Sequence, residues 1–180
     1  MRVIAGELGG RRLQAPRGRT TRPTSDRVRE ALFAMLGQIA GARALDLFAG
    51  SGALGIEALS RGAGEAVFVE RDAVALRVLR ANLDALELAP PRATVRASDA
   101  LAALRSARKA KETYDLLFID PPYSQARDWT AELSAALAPL LRPQARVVVE
   151  SDRRAPLRLG LELERERRYG DTSITIHRHR

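Results

Sequence analysis

The chain has 180 residues, 46% hydrophobic and 29% charged, which fits one globular domain with a sizeable core and excludes a disordered chain. It contains no cysteine, so disulfide frameworks and thiolate metal sites are excluded. No run approaches the ~20 apolar residues of a membrane-spanning helix, and the opening MRVIAGELGGRR lacks the apolar core of a secretory signal, so a cytoplasmic location is expected. The net charge of +8 sits at the ends: residues 1–30 hold eight Arg against three acids and residues 151–180 eight against five, while residues 31–150 hold fourteen of each sign.

A neutral middle between basic ends suits an enzyme that meets a polyanion. Arg accounts for 28 of the 30 basic residues. A GC-rich genome would produce that bias, but it would not send the excess to the termini.

Residues 2–4 and 11–15, around Gly6, Gly9 and Gly10, predict a small hairpin or irregular strand pair. The run PRGRTTRPT is a basic, proline-punctuated loop. A helix begins near Thr24 to Asp26, presents Val28, Leu32, Met35 and Leu36 on one face and stops by Gly37. Strands are then expected at 43–48, 66–70, 93–97, 116–120 and 146–150. Helices are expected at 53–61, 72–86, near 99–109 and near 127–139. Two final strand-like runs, 161–168 and 172–178, leave no room for a helix and predict an antiparallel hairpin. The alternation predicts a single α/β domain, a mostly parallel sheet of Rossmann-like type with residues 1–24 as a basic extension. Ligands of such sheets bind beyond the carboxyl ends of the strands, where strand order reverses.

Asp46-Leu-Phe-Ala-Gly-Ser-Gly-Ala-Leu-Gly55 joins the first strand of the alternation to a helix. Glycines there permit a tight turn and close approach to a ligand. Gly50, Gly52 and Gly55 also satisfy G-x-G-x-x-G, with Glu70 near the expected ribose position, so a nicotinamide-dependent oxidoreductase is a competing reading at this point. Asp46, ahead of the glycines, either orients the loop or receives an ammonium group. The segment as a whole resembles motif I of the class I methyltransferases. That resemblance implies S-adenosylmethionine as cofactor, with Phe48, Ala49, Gly50 and Gly52 around its methionine part. It also implies that Glu70, with Arg71 beside it, accepts from the ribose hydroxyls, and that Asp99, beside Ala100, receives the adenine amine. A solvated acid at a helix N-terminus is the bland alternative for Glu70 and Asp99.

Asp120-Pro121-Pro122-Tyr123 follows the apolar strand LLFI. Two prolines fix their own φ and restrict the residue before them, so the Asp120 carboxylate and the Pro121 carbonyl are held stiffly near the Tyr123 ring. An exocyclic base amine is a poor nucleophile because its lone pair is delocalised. Two acceptors on its N–H groups would direct that lone pair at a methyl donor, while an aromatic ring stacks on a flipped base. The alternative is a turn that merely ends a strand.

Asp-Pro-Pro-Tyr matches motif IV of methyltransferases acting on adenine N6, cytosine N4 or guanine N2. With R-V-I-A-G and G-R-R-L near the start, R-P-T-S-D-R-V-R-E-A-L-F at 22–33, LDLFAGSGALGIEALSRGA and FVERD, the chain is identified as a member of the RsmD family, bacterial guanine-N2 methyltransferases of 16S ribosomal RNA. The resemblance implies a monomer acting on the assembled 30S subunit without metal or membrane. It makes Arg22 and Thr24 candidate contacts near the methionine end of the cofactor. Arg11, Arg12, Arg17 and Arg19 are candidate phosphate contacts, which position RNA without reading sequence. His177 and His179 have no carboxylate or thiol company and are assigned no role. A DNA adenine or cytosine methyltransferase is the nearest rival, although no segment is spare for a target-recognition domain; a non-enzymatic ribosome-assembly factor is another.

Overall fold

The computed structural model describes residues 1–16, 25–121, 130–154 and 156–180. Helix α1 (Asp26–Leu36) starts where Ser25 caps it, its hydroxyl accepting from the Val28 amide at 3.3 Å. It ends at Gly37, whose φ of +64 only glycine tolerates readily. The chain then alternates through β1 (Arg43–Asp46), α2 (Ala53–Ser60), β2 (Glu65–Glu70), α3 (Ala73–Ala85), β3 (Ala93–Ala97), α4 (Ala100–Lys109), β4 (Tyr114–Ile119), α5 (Thr130–Leu137), a 3-10 turn at Ala138–Leu140 and β5 (Leu141–Asp152). It closes with the hairpin β6 (Glu162–Tyr169) and β7 (Thr172–Arg178).

The seven strands form one sheet in the order β3-β2-β1-β4-β5-β7-β6. The first five are mutually parallel, and β7 inserts antiparallel between β5 and β6. Strand order reverses between β1 and β4, so the cleft expected to bind ligand opens beyond Asp46 and Ile119. Alternation along each strand divides the core in two. One layer joins Ala44, Phe68, Phe118, Val148, Ile174 and Ile176 to the apolar faces of α1, α2 and α3. The other joins Leu45, Val67, Leu117, Val147 and Val149 to α4 and α5. Phe68 and Phe118 are wholly buried, each worth roughly 1.5–3 kcal/mol in transfer from water.

Of the expected small hairpin or irregular strand pair, the structure has the irregular form, one antiparallel bridge between Arg2 and Arg12. Residues 1–16 are held instead by side chains of the core. Glu57 of α2, fully buried, accepts from the amides of Ile4 (2.7 Å) and Ala5 (3.1 Å). Gly6, at φ +86, lies so close to Ser60 that a Cβ there would overlap its carbonyl. Asn82 of α3, 2% exposed, accepts from the Gln14 amide (2.8 Å) and donates to the Gln14 carbonyl (3.1 Å) and to the Ser51 carbonyl (2.9 Å). β1 is shorter than the expected 43–48, and β5 begins five residues before the expected 146, with a register irregularity opposite β4. Among the described residues no helix is long and apolar enough to cross a membrane.

Candidate active site

Four carboxylates stand at or near the carboxyl ends of neighbouring strands, on the sheet face that α1, α2 and α3 cover. Asp46 continues the Ala44 row of β1 and Glu70 the Phe68 row of β2; Asp120 follows Phe118 by two residues and Glu150 follows Val148 by two. In register, Asp46 lies beside Phe118, and Val149 beside Ile119, which brings Glu150 level with Asp120. The geometry places Asp46, Glu70 and Asp120 at the carboxyl ends of the adjacent strands β1, β2 and β4. It adds Glu150, which the sequence analysis passed over. Its signal was available: RVVVE ends in the same way as AVFVE.

Burial pushes the Asp46 carboxyl up to about 7, with the Gly55 amide opposing and the Glu70 charge reinforcing. Its Oδ2 accepts from Gly55 at 3.0 Å, so of its two expected roles orienting the loop is the one occupied. Asp120 is raised well above the usual carboxylate range, first by burial, then by the charges of Glu150 and Asp46. A cluster of acids of this kind disfavours further negative charge and favours a cation. Among the described residues no three such groups are clustered as a metal ion requires.

Glu70 is 7% exposed and organises the loop through backbone amides. Its Oε1 accepts from Arg71 and Asp72 (both 2.8 Å), and its Oε2 accepts from Gly50 at 2.8 Å. A carboxylate offers about four acceptor positions. Three are taken, and the open one is on Oε2, beside the loop. Glu70 can therefore accept from a ligand hydroxyl through Oε2, while a two-oxygen grip on a diol requires the Arg71 and Asp72 amides to be shared.

The three glycines of the loop divide by cause. A Cβ on Gly52 (φ +84) would lie 2.5 Å from Leu79 Cδ1, and one on Gly55 would collide with the Phe68 ring. Those two serve helix–sheet packing. At Gly50 (φ +57) a Cβ would meet nothing closer than the Phe48 carbonyl at 4.0 Å. Space stands open beside that backbone, where a bound group can approach. Phe48 is half-buried and Ala49 buried, its amide donating to the Val69 carbonyl at 2.9 Å.

Asp99 is exposed and caps α4, accepting from the Ala102 amide at 2.9 Å; Ala100 begins that helix, buried. Pro121 is buried. Arg11 is turned onto the Ala85 carbonyl at the end of α3 (2.9 Å), which satisfies an orphan helix carbonyl. Arg12 is exposed. Arg17, Arg19, Arg22, Thr24, Pro122 and Tyr123 lie outside the described residues. His177 is buried, its ring within 3.3 Å of the Leu161 carbonyl and 3.1 Å of Thr175 Oγ1. A separate cavity of about 410 Å³ lies at the amino ends of β1 and β2. Its guanidiniums of Arg43, Arg92 and Arg142 are each paired, with Glu65, Glu7 and Asp115.

This sheet order, with a glycine loop after β1 and acids ending β1, β2 and β4, is the fold of the class I S-adenosylmethionine-dependent methyltransferases. A solved Escherichia coli structure titled "Putative methyltransferase yhhF" superposes with a TM-score of 0.84 at 36% identity, covering 99% of this chain and 97% of that one. The chain belongs to the family described as Conserved hypothetical protein 95, whose model matches residues 1–178; this is the RsmD family that the motifs resemble. It is 42% identical, in an alignment of 189 positions covering 100% of both chains, to a Bacillus subtilis protein named "Putative rRNA methyltransferase YlbH". It is 36% identical to the "Ribosomal RNA small subunit methyltransferase D" of Haemophilus influenzae, over 87% of this chain and 81% of that one.

Proposed function

We propose that this chain, acting as one catalytic unit, transfers the methyl group of S-adenosylmethionine to the exocyclic N2 amine of a guanine in 16S ribosomal RNA within assembled 30S subunits. The observation that carries the reading is the Asp120 carboxylate at the end of β4, beside the strand-order reversal and level with Glu150. The relationship to proteins named as ribosomal RNA methyltransferases, over the full length of one and 81% of the other, supports the substrate.

The residues present fit the cofactor. The carboxylates of Asp46, Glu70, Asp120 and Glu150 suit a cationic ligand, and the open side of Gly50 leaves room for one against the loop. S-adenosylmethionine would supply an electrophilic methyl group on a sulfonium. Gly50 would line its methionine part, Glu70 Oε2 would accept from the ribose, and Asp99 would take the adenine amine. Arg22 and Thr24 are assigned to the methionine end from the motif alone.

Asp120 and the Pro121 carbonyl would accept from the two N–H groups of the target amine, fixing its lone pair in line for attack. Tyr123 would stack on the flipped base. Once methylated, the nitrogen must shed a proton. We assign that proton to Asp120, whose affinity for it is raised by burial, Glu150 and Asp46. Deprotonated Asp120 is the competent form, so activity rises with pH through a limb displaced above the ordinary carboxylate range.

The test is nucleoside mass spectrometry of 30S subunits lacking the modification, after incubation with the protein and labelled S-adenosylmethionine. Labelled N2-methylguanosine is the expected product. Labelled methyladenosine or methylcytidine would overturn the guanine assignment, and label entering only duplex DNA would overturn the RNA assignment.

A further inference from the structure

The basic carboxyl-terminal end resolves into paired and unpaired arginines. Every acid between residues 156 and 180 has an arginine partner: Glu162 with Arg180 (2.7 Å), Glu164 with Arg178 (3.0 Å), Glu166 with Arg168 (3.0 Å) and Asp171 with Arg154 (3.9 Å). Arg158 acts on Glu166 through its charge. Arg153, at the turn after β5, and Arg165 and Arg167, both on β6, remain. The two on β6 are exposed, and among the described residues neither has an ion pair; the Arg167 guanidinium donates only to the neighbouring Glu166 carbonyl, at 3.1 Å.

Their position is set by register. Arg167 pairs with Ile174, Ile174 with Glu150, and Val149 with Ile119, so Arg167, Ile174, Glu150 and Asp120 stand in one rank across the sheet. Ile174 belongs to the core layer on the face that carries the site acids, and directly paired residues share a face. Arg167 is therefore on that same face, three strand spacings from Asp120, roughly 14 Å at about 4.8 Å per spacing. Arg165 pairs with Ile176 and stands one step below it on this face, while Tyr169 stands one step above and packs against the core. Arg168, between Arg167 and Tyr169 in sequence, points to the other face with its partner Glu166.

We propose that Arg165 and Arg167 form a phosphate-binding rail on the edge strand β6, holding the RNA backbone that flanks the nucleotide presented to Asp120. The inference rests on the RNA reading above. Alternate strand residues are about 6.8 Å apart, so two guanidiniums on one face can engage successive backbone phosphates of a single strand. An arginine fork matches phosphate oxygens in pairs. A contact of this kind fixes where the strand lies and reads no base. The rail stands beyond β5 and β7, a direction from the site for which the sequence analysis named no RNA contact.

The experiment compares the native protein with Arg165→Gln/Arg167→Gln and with Arg168→Gln, a neighbouring charge loss on the opposite face. Affinity for a protein-free 16S rRNA fragment is measured across a salt series, alongside S-adenosylmethionine affinity, thermal midpoint and methyl transfer. The double variant should bind RNA roughly 3–10-fold more weakly, with the logarithmic salt slope reduced by about one per arginine removed. Its cofactor affinity and midpoint should be native, and its KM for RNA should rise while kcat at saturation holds. Arg168→Gln should keep the native slope. An unchanged slope in the double variant, or an equal loss in Arg168→Gln, would overturn the rail while native methylation of RNA still stood. A defect confined to intact 30S particles would also overturn it, pointing to an acidic ribosomal protein. A native protein that methylates no RNA would remove the functional reading and the rail together.

Discussion

Replacing Asp46 by Asn isolates the electrostatic cost of the site. The amide keeps the shape and can still accept from the Gly55 amide through its carbonyl oxygen, but it carries no charge. In the folded chain burial moves the Asp46 carboxyl from an ordinary value of 3.8 to about 7. The folded state therefore holds a proton that the unfolded state has released, and stability is lost as pH rises from about 4 towards 7. Integrating that difference between pH 5 and pH 8 gives a loss of about 2.5 kcal/mol, from ~1.4 kcal/mol per tenfold change in proton affinity. At about 2–4 °C per kcal/mol for a chain of this size, the native midpoint should fall by roughly 5–10 °C over that interval on account of this one group. Asp46→Asn removes the contribution and also relieves Asp120 of a neighbouring charge, so its melting curve should depend less on pH and overtake the native protein at pH 8. Scanning calorimetry of the ligand-free proteins at pH 5, 6.5 and 8 measures both slopes. A variant with the native pH slope that is less stable at pH 8 would refute the argument that Asp46 is held at the protein's expense.

Three further outcomes follow from other contacts. Asp120→Ala should reduce methyl transfer by ~10²–10⁴-fold while calorimetric titration still registers S-adenosylmethionine. Gly50→Ala and Gly52→Ala should separate function from packing. The first should cost about 1–2 kcal/mol for its left-handed backbone and at least tenfold in cofactor affinity. The second adds the overlap with Leu79 and should cost about 2–4 kcal/mol in denaturant unfolding. Glu57→Ala strands the Ile4 and Ala5 amides and the Arg61 guanidinium, which Glu57 accepts at 2.6 Å; it should cost about 2–3 kcal/mol and expose residues 1–16 to limited proteolysis.

The fold was legible because its signals are local. Apolar runs such as LLFI and VFVE give strands, helix-period leucines give α3, and Ser25, Asp72 and Asp99 cap α1, α3 and α4. The glycine loop and Asp120 were legible as motifs because close backbone approach and proline stiffness leave few residue choices. The duty of Glu70 towards three amides was not, because it depends on where the loop returns in space. Glu150 repeats the apolar-run-then-acid pattern of Glu70, but its place beside Asp120 comes from register with β4, which the pattern alone does not give. Arg11 reads as basic surface in sequence, yet its guanidinium is turned to the end of α3. Net charge at the carboxyl end was visible, whereas its division into paired and unpaired arginines required the hairpin's register.

Asn82 gives the amino-terminal extension a part in the glycine loop. One amide side chain pairs with both backbone groups of Gln14 and also holds the Ser51 carbonyl. A protein trimmed to begin at α1 would keep the glycine loop and Asp120 and lose the partner that two of this amide's three hydrogen bonds engage. Of the three hydrogen bonds of that side chain, the Ser51 contact alone would then be left. What looks in sequence like a detachable basic leader behaves mechanically as a guy-line, and the smallest useful version of this enzyme starts at its first strand-like residues.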